Sequence, residues 1–187
     1  VIDKVRMDTE IGGINGARPL KLSMPVMIAP MSYGALSRST KQAIAMASAM
    51  SGIAENTGEG GMSDAQRDAA GQLIFQCLGG RLGWNIHDMR RADALEIYIS
   101  QGAKPGHGGI LPAQKNTIEI AKIRGVEPKT KIVSPSSHTV FSTAAGLLEF
   151  VVELRKLSGG KPVGFKLCLG NRSEFVELAQ TIISTGI

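Results

Sequence analysis

The 187-residue sequence predicts an α/β fold built on a parallel sheet. Short apolar runs of strand length recur along the chain. Helical patterns with apolar residues on one face follow them, and glycine-rich segments separate the two. The composition agrees: 43% hydrophobic residues suffice for a sizeable core, while 23 glycines and only 4% aromatics argue against an aromatic-rich β-sandwich or a base-stacking single-strand binder. Two architectures share this rhythm, a flavodoxin-like open sheet and the first half of a (β/α)8 barrel. About four units fit, whereas a full barrel takes ~250 residues. The barrel reading therefore makes the chain a fragment, as its start at Val1 and its stop after a helical pattern also suggest.

Residues 1–24 are polar and glycine-dotted (Ile11-Gly-Gly-Ile-Asn-Gly16) and read as a lead-in; residues 25–187 read as the organised part. Val26–Ala29 has the continuous apolar character of a strand buried on both faces. Ser39 or Thr40 then caps a helix with Ala43, Ile44, Ala47 and Met50 on its apolar face, ended by Gly52. Ile53–Asn56 is a second strand. Leu73–Cys77 is a further extended piece, and Gly79–Gly83 suggests a turn or hairpin inserted between units. Asn85 or Asp88 caps a short helix, and Leu95–Ile99 is a third barrel-type strand. A helix over 115–124 closes at Gly125, and Lys131–Pro135 is extended. Thr143 caps a helix carrying Leu147, Leu148, Val151 and Leu154, stopped by Gly159-Gly160. Pro162–Cys168 is a fourth strand, and Glu174–Ser184 an amphipathic helix with Phe175, Leu178, Ile182 and Ile183.

The net charge of +5 is mild and its lysines and arginines are scattered, which argues against a nucleic-acid face and suits one or two small anionic ligands. Cys77 and Cys168 lack CxxC spacing and read as reduced thiols of a cytoplasmic protein, with neither a disulfide framework nor a structural zinc site. No apolar run reaches membrane-spanning length, and no secretory leader opens the chain. A GxGxxG or P-loop pattern after the first strand is absent.

The unusual residues follow strand candidates, the common address of active sites in barrel folds. Asn56-Thr-Gly-Glu-Gly-Gly61 sets Glu59 among glycines; spacing alone favours a tight turn with a solvated acid over a ligand contact. In Gln101-Gly-Ala-Lys-Pro-Gly-His-Gly-Gly109, Lys104 can hold a carboxylate and His107 can exchange a proton, or the loop is mobile and both are solvated. Lys166 sits inside an apolar strand. Either the strand lies at an edge, or the ammonium meets an electron-rich group, such as the pyrimidine side of a reduced flavin; the apolar flanks favour the second. Gln76 requires hydrogen-bond partners, from backbone or from a cofactor's amide edge. Arg124, at a helix C-terminus, suits the helix dipole locally and a bidentate carboxylate clamp functionally. Ser134 and His138 share a loop without a GxSxG elbow, which disfavours a nucleophilic pair, and the three histidines have no metal-ligand spacing, so no metal site is expected.

Several segments, in order, resemble the FMN-binding domain of glutamate synthases: Ala29-Pro-Met-Ser-Tyr-Gly-Ala-Leu-Ser37, Asn56–Gly61, Gln101–Gly106 with Leu111-Pro112, Ile120–Arg124, Ser134-Pro135 with His138, and Val163–Lys166. The resemblance runs over nearly all of 25–187, and is nearest to bacterial and archaeal glutamate-synthase-related proteins. It implies an α/β fold that is the first half of a (β/α)8 TIM barrel, and FMN as cofactor. It also implies reduction of 2-iminoglutarate, formed from 2-oxoglutarate and ammonia, to L-glutamate by hydride from reduced flavin. The implied electron donor is an NAD(P)H-linked subunit or ferredoxin, through iron–sulfur centres whose ligands are not in this chain. By the same resemblance Pro30, Met31 and Ser32 lie beside the flavin, and Gln76 and Lys166 contact its pyrimidine side. Lys104 and Arg124 hold the substrate carboxylates and Glu59 lies near the substrate, which makes Glu59 and Lys104 the catalytic candidates; His107 is a further substrate-binding candidate from its place in the Lys104 loop rather than from the resemblance. The sequence departs from the family's GEGGQLP at His107 and Ile110. Loss of a hydrogen-bonding amide at the latter bears on substrate choice. Two other readings remain: a non-catalytic half-barrel completed by a second chain or an oligomer, and a related flavin barrel acting on a different small acid.

Overall fold

The computed structural model describes residues 5–13, 18–104 and 106–187. Ile14, Asn15 and Gly16 of the lead-in, and Pro105 of the long glycine loop, lie outside the described residues. The elements in chain order are β1 (Thr9–Ile11), β2 (Leu20–Leu22), α1 (Arg38–Ser51), β3 (Ala54–Asn56), α2 (Asp64–Ala69), β4 (Gln72–Cys77), α3 (Ile86–Arg91), β5 (Ala94–Tyr98), β6 (Ile110–Leu111), α4 (Ile118–Arg124), β7 (Ile132–Val133), α5 (Ala144–Ser158), β8 (Val163–Lys166) and α6 (Arg172–Thr185).

A parallel sheet in the order β3-β4-β5-β8 forms the centre. Met27 bridges Ala54 in the same sense, and the Ile28 N–H donates to the Ala54 carbonyl at 2.9 Å. The first apolar run thus lies along the outer side of β3. Among the described residues it has a partner on one side only, and Val26 and Met27 stay exposed rather than buried on both faces. The Leu73–Cys77 run is not an additional piece beside the sheet: β4 is paired on both sides and carries some of its most buried residues. The excursion comes later, where β6 and β7 pair antiparallel between β5 and β8. β1 and β2 form a second antiparallel pair within the segment read as a lead-in.

The pleat divides the sheet residues between two faces. Leu73, Phe75 and Cys77 of β4 and Leu95 and Ile97 of β5 meet Met89 of α3 and Leu147, Phe150, Val151 and Leu154 of α5. This is the main core, and the α5 positions are those the periodicity predicts. On the other face Ala54, Ile74 and Ala94 are covered by Leu20 and Leu22 of β2. Towards the C-terminal strand ends that second face turns polar, through Asn56, Gln76, Glu96, Tyr98 and Lys166. Apolar cover at one end and polar side chains at the other place the chemistry above the strand ends.

The helices follow local signals in part. Ser37, rather than the expected Ser39 or Thr40, caps α1 by accepting the Thr40 N–H, and Asn85 caps α3, one of the two caps read for it. Gly52, Gly125, Gly159 and Gly186 all end helices in the left-handed conformation. α1 buries Lys41, Ala45 and Ser48, and leaves Met50 87% exposed, the reverse of the apolar face read from sequence. It packs on α2 and β3, where small side chains permit close approach. α2 follows the Ser63…Gln66 capping pattern, a signal the hydrophobic rhythm alone overlooks. α6 buries none of its residues fully; Leu178 touches the main core while Phe175 and Ile183 are exposed. Among the described residues no helix is long and apolar enough to cross a membrane.

Leu154 is fully buried in the main core. Leu154→Ala is expected to cost about 2–5 kcal/mol in chemical denaturation. Met50→Ala should change stability by no more than about 0.5 kcal/mol. Equal effects at the two positions would contradict this division of the helix surfaces.

Candidate functional site

The polar end of the sheet is organised by a carboxylate. Glu96 Oε1 accepts from Asn56 Nδ2 at 3.0 Å and from Gln76 Nε2 at 2.8 Å. A carboxylate without a proton only accepts, so these contacts fix which way both amides face. Asn56 Oδ1 accepts the Gly58 N–H at 2.9 Å, and Thr57 Oγ1 accepts the Gln76 N–H at 3.0 Å. The turn after β3 is thereby fastened to β4. Lys166 lies on β8, the outer strand of the sheet, and is half-buried. Its Nζ donates to Gln101 Oε1 at 3.4 Å and stands 6.0 Å from the centre of the Tyr98 ring. The edge position, the alternative that the apolar flanks disfavoured, is the one found among the described residues, and the neighbours of the ammonium are the uncharged Gln101 and Tyr98.

Beside this face, loops from three stretches of chain enclose a cavity of about 180 Å3. Ser32, Glu59, Lys104, Ile110, Lys115 and Arg124 are among its lining residues. Arg124 is 4% exposed, so the surface-charge reading does not hold for it. Its Nη2 donates to the Tyr33 carbonyl at 3.0 Å, while no described group accepts from its Nε. Burial pulls its pKa below the ordinary value, and the Glu59 carboxylate opposes that shift. Gly60 permits this packing. Its φ is +101°, and a Cβ there would stand 2.6 Å from Arg124 Cζ. Glu59 is half-buried rather than solvated; its Oε1 accepts from Ser134 Oγ. Gly109 presses on the same carboxylate so closely that a Cβ would collide with it.

The remaining sequence candidates separate around this centre. Lys104 is exposed at the cavity wall. His107 is exposed and lies outside the lining; its backbone N–H donates to the Lys104 carbonyl at 3.3 Å. Pro30, Met31 and Ser32 are half-buried, and a Cβ on Gly58 would strike the backbone of Met31 and Ser32. The two segments therefore lie in direct contact. Ser134 and His138 do not pair. Ser134 turns to Glu59, while His138 Nε2 donates to the Tyr98 carbonyl at 2.6 Å and its ring stacks on Phe141. Burial lowers the His138 pKa.

Glu96 and Lys41 escaped the sequence reading, as did Lys115 of the cavity wall. Glu96 occupies a polar position inside an apolar strand, the same signal that singled out Gln76 and Lys166. Lys41 lies on the stripe of α1 shared with Ala45 and Ser48, four and seven residues on. Its Nζ donates to the carbonyls of Met31 (2.8 Å), Thr57 (3.0 Å) and Asn56 (3.3 Å). Together the strand ends offer a cation, an oriented amide and two abutting loop backbones, which suits a flat electron-rich ligand. The cavity offers two lysines and a buried arginine at a size suited to a small carboxylate.

The family described as the conserved region in glutamate synthase matches residues 3–184. A glutamate synthase large subunit-like protein of Rhizobium meliloti is 38% identical over 80% of this chain and 34% of its own length. The archaeal glutamate synthase (NADPH) of Methanocaldococcus jannaschii is 38% identical over 89% of this chain and 32% of its own. The chain thus spans about a third of the length of these relatives. Among solved structures, a mandelate oxidase mutant with the monooxide FMN adduct aligns at a TM-score of 0.52 and 17% identity. That alignment covers 100% of this chain and 52% of the oxidase, and supports the fold alone. With the family matched over nearly every residue, this chain belongs to the glutamate synthase family.

Proposed function

We propose that this chain is the first half of a (β/α)8 barrel in an FMN-dependent oxidoreductase that reduces 2-iminoglutarate, formed from 2-oxoglutarate and ammonia, to L-glutamate. The observation that carries the reading is the gathering of Glu59, Lys104 and Arg124 around one small cavity beside the polar strand ends. Family membership and the FMN-bearing structural neighbour support the flavin. The electron donor would be an NAD(P)H-linked subunit or ferredoxin, acting through iron–sulfur ligands outside these residues. The exposed flank at Val26 and Met27, and the exposed face of α6, are consistent with a barrel completed by further strands and helices.

Bound reduced FMN would supply the hydride for the imine carbon. The chain's own residues do the rest. Arg124, with its Nε unpaired, and Lys104 hold the two carboxylates, one by a fixed planar fork and the other as a mobile point charge. Glu59 keeps Oε1 on Ser134, leaving Oε2 to accept a hydrogen bond from the substrate nitrogen. Lys166 and Gln76, whose Nε2 is held by Glu96, would hold the pyrimidine side of the flavin, with Lys166 supplying positive charge and Gln76 Oε1 an acceptor. Ile110, 63% exposed and lining the cavity, favours a second reading in which the same site takes a different small acid with an apolar portion.

The complete protein carrying this chain should copurify with flavin and bind 2-oxoglutarate more tightly than monocarboxylic 2-oxo acids; the opposite order selects the second reading. Lys104→Ala is expected to weaken 2-oxoglutarate binding by about 10- to 100-fold, the loss of a charge-assisted hydrogen bond. Unchanged binding removes Lys104 from the site. Lys166→Met should lower the flavin potential by about 20–40 mV, since two electrons convert about 1–2 kcal/mol of lost charge stabilisation into that range. A potential equal to the wild type's sinks the Lys166 assignment.

A further inference from the structure

Lys41 is 3% exposed, on the side of α1 that faces the sheet. An ammonium group has three hydrogens, and here each has a carbonyl acceptor. The carbonyls come from two separate segments: Met31 after the first apolar run, and Asn56-Thr57 at the end of β3. Those are the two backbones that touch at Gly58. One carries Ser32 into the cavity and the other carries Glu59. Among the described residues Lys41 makes no salt bridge. Glu55 on β3 acts on it at longer range and is itself 1% exposed, with the Gln66 side chain beside its carboxylate. A long cationic side chain ordinarily extends its head to water. This one turns inward and spends every donor on two loops of the candidate site.

We infer that Lys41 is a positioning residue that locks the Met31–Ser32 segment onto the Asn56–Gly58 turn and so sets the distance between the flavin-facing backbone and Glu59. The inference rests on the flavin reading for its consequence, though not for its geometry. The lock requires the proton. A neutral amine has two hydrogens and turns a lone pair towards the third carbonyl. Burial lowers the Lys41 pKa to about 8, with Glu55 opposing the shift. The other charged groups nearby are Arg67 of α2, which acts on Glu55, and Arg38 on α1 itself, exposed and 3.5 Å from Glu119. Global stability moves the other way. Between pH 8 and 10.5 the unfolded chain keeps a proton that the folded chain has released, so this group's contribution to stability rises with pH. A lysine with only a structural role gives that rise alone, without a loss of ligand affinity over the same range.

The test uses the complete protein, with FMN dissociation followed by flavin fluorescence on both sides of pH 8. Wild-type affinity is expected to fall as pH passes 8. Lys41→Met should weaken FMN by about 10- to 100-fold below that pH and abolish the step, from the loss of bonds to a charged donor. Lys41→Arg, which stays protonated, should flatten the step. Wild-type affinity that is flat across pH 8, together with unchanged binding by Lys41→Met, overturns the inference. The wild-type titration needs no variant to fold. Absence of flavin from the wild type at every pH defeats the flavin reading instead. The Lys41 geometry is then judged by hydrogen exchange, where the Thr57 and Gly58 amides should exchange faster in Lys41→Met while α5 is unaltered. Equal exchange there rejects it.

Discussion

The arrangement of this site depends on the register of the parallel ladder. Pairing of Ile74 with Ala94 and of Gln76 with Glu96 puts all four on one face, and pairing of Tyr98 with Lys166 continues that face onto β8. A slip of one residue would send Leu95 and Ile97 to the polar side and Glu96 into the main core. The packing of Leu73, Phe75, Leu95 and Ile97 against α3 and α5 therefore does more than stabilise the sheet. It decides which side chains stand above the strand ends, because a single pleat serves both faces.

Above that ladder lie several charges withdrawn from water. Lys41, Glu55 and Arg124 are each nearly inaccessible, and burial is the largest influence on all three pKa values. Isolated buried charges are costly, and their retention calls for compensation. Lys41 finds it in three carbonyls. Arg124 finds part in the Tyr33 carbonyl and part in the nearby charge of Glu59. The guanidinium, whose Nε has no acceptor among the described residues, and the Glu59 carboxylate line the same small cavity.

Glycine governs how closely these parts approach. Gly58 lets two backbones meet, Gly60 lets Arg124 lie flat against the turn, and Gly109 makes room for the Glu59 carboxylate. The glycines of the Asn56–Gly61 motif are thus a packing requirement. The same density of contact explains why one buried lysine beneath it can hold two loops in place.

Much of this was legible in the sequence. Strand length, glycine stops and the apolar stripe of α5 are local properties, and local sterics decide them. The motifs around Glu59 and Lys104 could be found because glycine clusters with isolated charges are uncommon and their order follows a known family. Other features were not local. The outward face of α1 reads as apolar through Ile44 and Met50, yet its buried stripe is Lys41, Ala45 and Ser48, because the small Ala45 and Ser48 permit close packing on α2 and β3 and Lys41 finds carbonyl partners at the loops beyond β3. That Ser134 turns to Glu59 and not to His138, and that His107 stays outside the cavity lined by Lys104, are likewise consequences of the fold. The sequence by itself determined the elements and most of the chemistry-bearing residues, because turn, cap and hydrophobic signals act within a few neighbours. Only the tertiary structure decided which of those residues meet, because hydrogen bonding and burial between distant segments depend on the register and packing of the whole sheet.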